Sequence, residues 1–452
     1  MSERPSTKPR LFRISRSQDG GNCRIRLTFG HLTAAQARTI ADAAFRFGNG
    51  IIDMTKLVNL HIRGVSPDKE AALVDTLLDA GLGPTRPEAD DVRNVMVSPT
   101  AGLDVSQHMD ILPIARDLLA HIETDETCWK LSAKFSFLVD GGEAVAAVDQ
   151  PHDIWLSSMA GGTMIALGFA GHPPLQAEDD TPFVAIRTER AVAAIAAALS
   201  LFFEEARRHP RITRFNDLFT YVSRQEFFDR LSQVHDLDLR RGAEISRWRR
   251  QPAVSSGHVG IRDQREHGLA HVGAVPLVGR IAPETLTQLA IIAEENGDGS
   301  LRFTPWQSVI IPSVPREIAH RVMQSLAAIG LTCDPDDPAA SMVACSGTPG
   351  CPLGTSDSKA DARILAEILG STGGASGVVH LSACDRLCAH PQLADTTLIA
   401  TAPGVYDLFR RPAGESDQFG ELIARDLSLE AAGLRIRETA LSKPSHTIEP
   451  RG

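Results

Sequence analysis

The 452-residue sequence lacks the features that would place it in a membrane, outside the cell or on nucleic acid. No run of residues is long and apolar enough to cross a bilayer, so we expect no membrane partner. The first residues, MSERPSTKPRLFRISRSQDGG, have no apolar centre and do not resemble a secretory signal. A net charge of −10 argues against general nucleic-acid binding. These absences predict a cytoplasmic protein.

The length and composition indicate a globular protein of several domains. A chain of 452 residues is longer than one ordinary domain, and we expect about two to four. A hydrophobic fraction of 43% is enough for real cores, and a charged fraction of 23% is normal for a globular protein. No GxGxxG follows a predicted strand, so the sequence offers no dinucleotide site.

One segment of the chain is duplicated. The residues FGHLTAAQARTIADAAFRFGNGIIDMTKLVNLHIRGV, at 29–65, match VGRIAPETLTQLAIIAEENGDGSLRFTPWQSVIIPSV, at 278–314, without a gap. Gly30 and Gly279 are 249 positions apart, and so are Thr55 and Thr304. Each copy predicts a helix opened by Thr or Pro, then a Gly-x-Gly turn and a strand. Because neither copy can bury both of its faces alone, we expect the two to pair into one pseudo-two-fold domain.

These patterns divide the chain into seven segments. They are a polar tail (1–20), a first half-domain (21–90), a first α/β unit (91–205), a connector (206–270), a second half-domain that pairs with the first (271–335), a cysteine-containing α/β unit (336–440) and a second tail (441–452). The connector is assigned from its polar, arginine-rich composition.

Four of the seven cysteines are clustered near the C-terminus. Cys345 and Cys351 flank a loop in ACSGTPGCPLG, and Cys384 and Cys388 are predicted to lie on one helical turn in SACDRLCAHP. A tight loop containing glycine and proline directs backbone N–H groups at sulfur and stabilises thiolates. We therefore predict that these four cysteines hold a 4Fe–4S cluster. An odd cysteine count without an export signal argues against disulfides.

Two other interpretations of the four cysteines stay open. Zinc sites usually have two to four residues between paired cysteines, so the five-residue gap between Cys345 and Cys351 is unfavourable for zinc. Free structural thiols are the third interpretation, which the loop chemistry disfavours. The remaining cysteines, Cys23, Cys128 and Cys333, are interpreted as small buried residues.

Basic and amide side chains recur on the predicted strands of the first half of the chain. Arg24 and Arg26 alternate on one strand. The other members of this set are Lys56, Asn59, Arg63, Arg93, Asn94 and Lys134. Such side chains make charge-assisted, often bidentate, hydrogen bonds to carboxylates. The pattern predicts a substrate pocket for a polycarboxylate, and the alternative for each residue is a solvated strand face.

The duplicated segments and the C-x5-C…C-x3-C pattern together resemble the nitrite and sulfite reductase family, over roughly residues 20–430. The resemblance is carried by CRIRLTFG, DMTKLVNLHIRG, RNVMVSPTAG, KFSFLVDGG, ACSGTPGCPLG and SACDRLCAHP. It implies an α+β fold with a pseudo-two-fold pair of ferredoxin-like half-domains plus two further α/β units. It also implies a 4Fe–4S cluster beside a tetrapyrrole whose carboxylates the basic residues bind.

Within this family, NGIIDMTKLVNLHIRGV, the ending CAHP and the short chain resemble the precorrin-3B synthase branch. The resemblance implies a dioxygen-dependent monooxygenase of aerobic cobalamin biosynthesis, which hydroxylates precorrin-3A at C20 and closes a γ-lactone. It implies a mononuclear non-haem iron, with His61 and His390 as candidate catalytic residues by motif position. Each histidine has the alternative role of a hydrogen-bonding residue. The external electron donor would be an NADH-linked reductase or a ferredoxin.

Two other functions are compatible with the same residues. A sirohaem-dependent sulfite or nitrite reductase would use the same basic pocket, with Cys388 as the bridge between cluster and haem iron. A non-catalytic tetrapyrrole-binding iron–sulfur protein would bind the macrocycle without turnover. One departure from the reductases is Ser136, which stands where they have a second lysine two residues after the first. With one basic side chain fewer, the pocket would bind its ligand less tightly. Weaker binding suits a substrate that must be released better than it suits a permanent prosthetic group.

Overall fold

The computed structural model describes residues 9–159, 161–179, 181–234, 236–254, 256–370, 377–412 and 419–441, in two compact units. Unit 1 comprises Met1–Ser15, Gly21–Gly273 and Ile281–Ser325, and unit 2 comprises Arg16–Gly20, Ala274–Arg280 and Leu326–Gly452. Of the two predicted tails, residues 1–8 and 442–452 lie outside the described residues. Ser15–Ser17, within the first predicted tail, form a strand. The seven segment boundaries stay a prediction.

Strands and helices are numbered in chain order. The strands are β1 (Ser15–Ser17), β2 (Gly20–Arg26), β3 (His31–Thr33), β4 (Ile52–Met54), β5 (Asn59–Val65), β6 (Val95–Val97), β7 (Phe137–Asp140), β8 (His152–Ser158), β9 (Met164–Gly171), β10 (Phe183–Arg187), β11 (Gly260–Asp263), β12 (Leu269–Pro276), β13 (Arg280–Ile281), β14 (Ser300–Phe303), β15 (Val309–Pro315), β16 (Leu331–Thr332), β17 (Met342–Ala344), β18 (Val379–Ser382), β19 (Thr396–Ala402), β20 (Val405–Arg410) and β21 (Glu421–Ser428). The helices are α1 (Ala34–Phe47), α2 (Glu70–Asp79), α3 (Leu112–Thr124), α4 (Ala191–Arg208), α5 (Phe215–Leu218), α6 (Arg224–Ser232), α7 (Ala243–Ser246), α8 (Pro283–Asn296), α9 (Ala319–Ala328), α10 (Pro338–Ser341), α11 (Gly347–Gly350), α12 (Ser358–Gly370) and α13 (Leu429–Leu441).

Each duplicated segment, with the strand before it, folds with the same order of elements. In the first copy the main elements are β2, α1, β4 and β5, and in the second they are β12, α8, β14 and β15. The strand order is β2-β5-β4 in one sheet and β12-β15-β14 in the other. Strand β3 of the first copy pairs with β14 of the second, and α1 packs against α8. The predicted pairing of two half-domains is therefore confirmed.

The two glycines of each Gly-x-Gly turn are required for different reasons. A Cβ added to Gly48 would lie 2.5 Å from the Arg63 carbonyl oxygen, and the equivalent Gly297 faces a backbone oxygen just as closely. These first glycines therefore allow two backbone segments to approach each other. The second glycines, Gly50 and Gly299, both have φ of +75°, a conformation that favours glycine.

The two predicted α/β units contain sheets of identical topology. In unit 1 the strand order is β6-β7-β8-β9-β10, and in unit 2 it is β17-β18-β19-β20-β21. In both sheets the first three strands run parallel to one another, and each of the last two strands pairs antiparallel with the strand before it. Helices α3 and α12 connect the first strand to the second, and α4 and α13 follow the last strand. The α/β units are thus a second internal repeat, which the sequence analysis did not predict.

The segment predicted as a connector packs into unit 1 through helices and buried ion pairs. It contains α5, α6 and α7. Arg214 donates from Nε to both carboxylate oxygens of Asp153, at 2.8 and 2.7 Å. Phe215 stacks on Phe169 of β9, with ring centroids 4.9 Å apart. These contacts fix the first residues of β8, which border the cavity described below.

Candidate functional site

The four clustered cysteines lie in two loops at the ends of parallel strands in unit 2. Cys345 directly follows β17, and Cys384 is the second residue after β18. The Sγ atom of Cys345 accepts a hydrogen bond from the Ala383 N–H at 3.2 Å and lies 3.2 Å from the Ser358 hydroxyl oxygen. Backbone N–H donors to sulfur are typical of iron–sulfur sites. The two loops are therefore held together at Cys345 by the protein itself.

Local geometry holds the first cysteine loop against helix α12. Gly347 has φ of +65°, and a Cβ added there would lie 2.7 Å from the Ser358 nitrogen. No side chain fits in this cradle, so the loop packs directly on the first residue of α12. The Thr348 N–H also donates to the Ser356 carbonyl at 3.0 Å.

The second cysteine loop differs from its predicted form. Cys384 and Cys388 were expected on one helical turn, but the residues between them form bends and turns. Leu387 has φ of +50°, which a right-handed helix cannot include, so the prediction of a helical turn is wrong. The exposed Cys388 nevertheless lies near the other three cysteines. Its thiol pKa is raised by partial burial, then by the charges of Cys384, Cys345 and Cys351. Four cysteines in two neighbouring loops match the donor set of a 4Fe–4S cluster, and that they hold one stays a prediction.

Two of the predicted pocket arginines bind other residues of unit 1. Arg24 and Arg26 are buried; Arg24 Nη2 lies 3.4 Å from Asp91 Oδ1, and Arg26 Nη2 donates to the Asp91 carbonyl at 2.9 Å. Arg26 also donates to Asn94, whose own amide donates to the Phe135 carbonyl at 2.8 Å. Burial, and then the charge of Arg24, lower the pKa of Arg26 to about 9. In this structure these three residues connect β2 to the 87–97 segment.

The other predicted pocket residues differ in exposure. Arg63 is buried and pairs with Asp53, with 3.9 Å between Nε and Oδ2. Asn59 is buried, Lys56 is half-buried, and Lys134 is exposed. Burial lowers the pKa of Lys56 to about 8, so part of its charge is lost near neutral pH. That these residues bind a substrate stays a prediction.

A largely enclosed cavity of about 20 Å³ lies in unit 1, beside several of these residues. Its polar lining consists of Asn59, Arg93, Asn94, Ser136 and His152. Its apolar lining comes from Leu27, Phe29, Leu57, Val58, Val95, Met96 and Val97. A space of this size holds about one water molecule or the head of one polar group.

Arg93 brings the positive charge of the cavity lining. Its Nη2 lies 3.6 Å from Asp90 Oδ1 and its Nε lies 3.5 Å from Glu123 Oε1. These ion pairs orient the guanidinium, but neither nitrogen has a hydrogen-bond partner among the described residues. Arg93 therefore reaches the cavity lining as a cation whose charge is largely balanced by Asp90 and Glu123.

His152 is a cavity residue that the sequence analysis missed. It begins strand β8, is 3% exposed, and has a pKa lowered to about 4, mainly by burial and then by the charge of Arg214. The imidazole is therefore neutral at physiological pH. The available signal was a histidine at the start of the apolar run of β8, which is too common to indicate a site.

Among the described residues, neither candidate catalytic histidine belongs to a set of close metal-ligating side chains. His390 Nδ1 lies 3.0 Å from the Gln392 carbonyl oxygen, and His61 lies on β5 opposite Arg24. In the described parts of the chain, the one set of three close metal-ligating side chains is His121, Asp125 and Cys128, which includes neither. These surroundings do not fit a mononuclear iron.

Family models match most of the regions described above. The nitrite/sulfite reductase ferredoxin-like half domain matches residues 14–80 and 262–329, and the nitrite and sulphite reductase 4Fe-4S domain matches residues 88–235. Together they cover more than half of the chain. The chain belongs to the nitrite/sulfite reductase family. The second family model supports a 4Fe–4S cluster in this protein. The four cysteines themselves lie outside the residues 88–235 that this model matches, in the loops of the unit 2 sheet.

Relatives of this family member include enzymes of different names. The ferredoxin–nitrite reductase of Synechococcus elongatus is 26% identical over 396 residues, covering 83% of this chain and 75% of that protein. The precorrin-3B synthase of a Sinorhizobium species is 27% identical over 414 residues, covering 90% and 83%. Sulfite reductase (ferredoxin) 2 of Mycolicibacterium paratuberculosis is 24% identical over 399 residues, covering 83% and 69%.

A solved structure of the family has the same fold. The Mycobacterium tuberculosis NirA protein aligns over 96% of this chain and 82% of its own, with a TM-score of 0.73 and 20% sequence identity. The predicted reductase-like α+β fold is therefore confirmed. No described helix of this family member is long and apolar enough to span a membrane.

Proposed function

We propose that this family member catalyses the dioxygen-dependent hydroxylation of precorrin-3A at C20, with closure of a γ-lactone, in aerobic cobalamin biosynthesis. One atom of dioxygen enters the macrocycle and the other leaves as water. Two electrons and two protons are supplied from outside the substrate. The electron donor would be an NADH-linked reductase or a ferredoxin.

The observation that carries the proposal is the weak positive charge of the cavity. Ser136 and His152 are both neutral, and Arg93, the one cation in its described lining, pairs with Asp90 and Glu123. Such a wall holds a ligand mainly through hydrogen bonds rather than through an excess of fixed charge. This favours a substrate that is released in every cycle over a permanently bound sirohaem.

The binding roles follow from exposure and charge. Lys56, Asn59 and Lys134 would donate hydrogen bonds to the acetate and propionate groups of the precorrin. Cys345, Cys351, Cys384 and Cys388 would hold the 4Fe–4S cluster, which supplies single-electron transfer when bound.

The extent of the relatives' alignments agrees with this proposal. The Sinorhizobium precorrin-3B synthase is covered over 83% of its length, whereas the Synechococcus nitrite reductase is covered over 75%. The identities, 27% and 26%, are too similar to decide between the activities. Sirohaem-dependent nitrite or sulfite reduction is therefore the second candidate function.

The first experiment is spectroscopy of the full chain purified without oxygen. We expect four cluster irons with matching sulfide, a reduced 4Fe–4S EPR signal and no haem Soret band. Turnover would then be tested with precorrin-3A, a reductant and ¹⁸O₂, and mass spectrometry should show one labelled oxygen in the product.

Three outcomes would contradict the proposal. A sirohaem Soret band together with nitrite or sulfite reduction would establish the second candidate function. Zinc in place of iron would remove the cluster itself. Tight precorrin binding without label in the product would indicate a non-catalytic binding protein.

A further inference from the structure

His152 is a buried histidine that lines the cavity and has no partner in the described structure. Its side chain is 3% exposed, and neither Nδ1 nor Nε2 makes a hydrogen bond there. Buried polar groups without a partner destabilise the folded state, so most proteins pair them. An unpaired imidazole beside a cavity therefore indicates a place where a ligand completes its hydrogen bonds.

The backbone on either side holds the imidazole in place. Asp153, the next residue, accepts hydrogen bonds from Arg214, from the Phe215 N–H at 2.9 Å and from the Ser136 N–H at 3.0 Å. Successive side chains of a strand point to opposite faces, so anchoring Asp153 on one face directs His152 to the other. This rigidity is what a preorganised binding residue requires.

The polar groups around the cavity are rich in donors. Arg93, the Asn59 amide and one nitrogen of His152 each bring N–H groups to the lining. A ligand that satisfies several converging donors must present acceptor oxygens. The volume of about 20 Å³ admits one such head group and excludes a macrocycle.

We propose that His152 and Arg93 form a subsite for one carboxylate of the macrocyclic substrate. Arg93 contributes the charge, and the neutral imidazole donates one hydrogen bond that fixes the orientation of the carboxylate. The inference rests on the proposed function for its ligand class. It adds to it a specific residue, His152, and a specific group of the substrate.

The test measures binding of uroporphyrin III, a stable metal-free polycarboxylate macrocycle, to the full chain purified without oxygen. His152→Leu should weaken binding by about 10- to 100-fold, the usual effect of losing one hydrogen bond to a charged group. His152→Gln keeps an N–H donor and should bind close to the wild-type protein. Because the wild-type imidazole stays neutral, the ratio of the His152→Leu and wild-type dissociation constants should not change between pH 6 and pH 8.

His258→Gln is the matched control. His258 is also buried in unit 1, with a pKa lowered to about 4 by burial, but it hydrogen-bonds Ser308 at 2.9 Å and does not line the cavity. This variant should bind uroporphyrin III like the wild type. Thermal melting of each variant would show that the variant is folded before its affinity is compared.

Three results would overturn the inference. One is unchanged affinity in His152→Leu, which would make His152 a structural residue. Another is equal loss in the Leu and Gln variants. The third is His152-dependent competition by nitrite or sulfite, which would assign the cavity to a small inorganic anion. By contrast, His152-dependent uroporphyrin binding without turnover of precorrin-3A would reject the proposed function and leave the subsite standing.

Discussion

The two α/β repeats share one sheet topology but carry different side chains in the loops that follow their first two strands. Strand pairing aligns Val97 with Val139 in unit 1, and Ala344 with Leu381 in unit 2. In this register Ser98 stands in the first repeat where Cys345 stands in the second. Likewise Gly142 takes the place of Cys384. The first repeat therefore has neither of these two thiols in its loops.

A carboxylate joins the two loops of the first repeat. Asp104 Oδ2 accepts hydrogen bonds from the Thr100 hydroxyl at 3.0 Å, the Ala144 N–H at 3.0 Å and the Val145 N–H at 3.3 Å. Ser98 adds a hydrogen bond from its hydroxyl to the Val145 carbonyl at 2.7 Å. Hydrogen bonds to a buried carboxylate are strong because the acceptor is charged.

A buried ion pair reinforces the same loops. Arg250 donates to both oxygens of Asp140 at 2.9 Å, and the two side chains are 2% and 1% exposed. In the second repeat the position of Asp140 holds Ser382, which donates to the Cys384 carbonyl at 2.7 Å. The comparison teaches that loops of one topology can be joined by hydrogen bonds and an ion pair, as in the first repeat, or can carry the thiols that we propose as cluster ligands, as in the second. The stability of unit 2 should therefore depend on iron, and that of unit 1 should not.

Removing one cysteine should have the largest effect. Cys384→Ser should abolish bound cluster iron and sulfide, and it should increase amide hydrogen exchange in β17 to β20. Exchange in β6 to β10 should stay unchanged, because Cys384 belongs to the other repeat. Ser98→Ala is the control and should keep all of the iron. Unchanged exchange in unit 2 of the iron-free protein would break the comparison.

Breaking the buried ion pair should destabilise unit 1 alone. Arg250→Met leaves Asp140 buried and unpaired, which should lower the free energy of unfolding by about 3–5 kcal/mol. All four tryptophans lie in unit 1, so their fluorescence during urea unfolding reports on this unit. Iron content should not change. In the double variant with Asp140→Leu much of the loss should be recovered; a loss equal to the sum of both single variants would contradict the ion-pair explanation.

Removing the carboxylate that joins the loops should have a smaller effect on the same unit. Asp104→Ala leaves the backbone N–H groups of Ser106, Ala144 and Val145 without their acceptor. It should cost about 1–3 kcal/mol in urea unfolding followed by tryptophan fluorescence. Asp104→Asn keeps an acceptor and should lose less. Equal stability of the Ala variant and the wild type would show that Asp104 does not hold the loops together.

The stability of unit 1 should depend on pH through one buried carboxyl group, that of Glu143. Glu143 is fully buried, and burial, followed by the charge of Asp140, raises its pKa well above the usual value. The folded state therefore binds this proton more tightly than the unfolded state, so its contribution to stability is lost as pH rises through the folded pKa. Glu143→Gln should remove that part of the slope in urea midpoints measured across pH. A slope that is identical in the variant would reject this origin.

The smallest change should appear only in the cluster. The Ser358 hydroxyl donates to the Cys345 carbonyl at 3.0 Å and lies 3.2 Å from Cys345 Sγ. If it donates to the sulfur once a cluster is bound, Ser358→Ala should shift the EPR-monitored reduction potential to a more negative value, because hydrogen bonds to sulfur raise it. Ser358→Thr should restore the wild-type potential. Ser356→Ala is the matched control, since that hydroxyl donates to Asp361 at 2.5 Å and does not contact sulfur. An equal shift in both alanine variants would indicate general loosening of the loop.

Local sequence patterns determined much of this protein. The constant spacing between the duplicated segments predicted two half-domains that pair, and their Gly-x-Gly turns obey backbone constraints that any chain would face. Cysteine spacing predicted two short loops that each carry a pair of cysteines, because residues near each other in the chain stay near each other in space. These features depend on residues near each other in the chain, so a single sequence reveals them.

Tertiary structure alone decided which polar residues have partners. Arg24 and Arg26 resembled pocket residues, yet they bind Asp91 and Asn94, more than sixty positions away in the chain. His152 showed no signal, yet the cavity leaves it unpaired. The repetition of the α/β sheet was not visible in the sequence, because the first repeat has hydrogen-bonded side chains at positions where the second has cysteines. The physical reason is common to all three: periodicity and spacing report which groups a segment exposes, whereas the partner of a buried charge depends on distant segments that packing brings together.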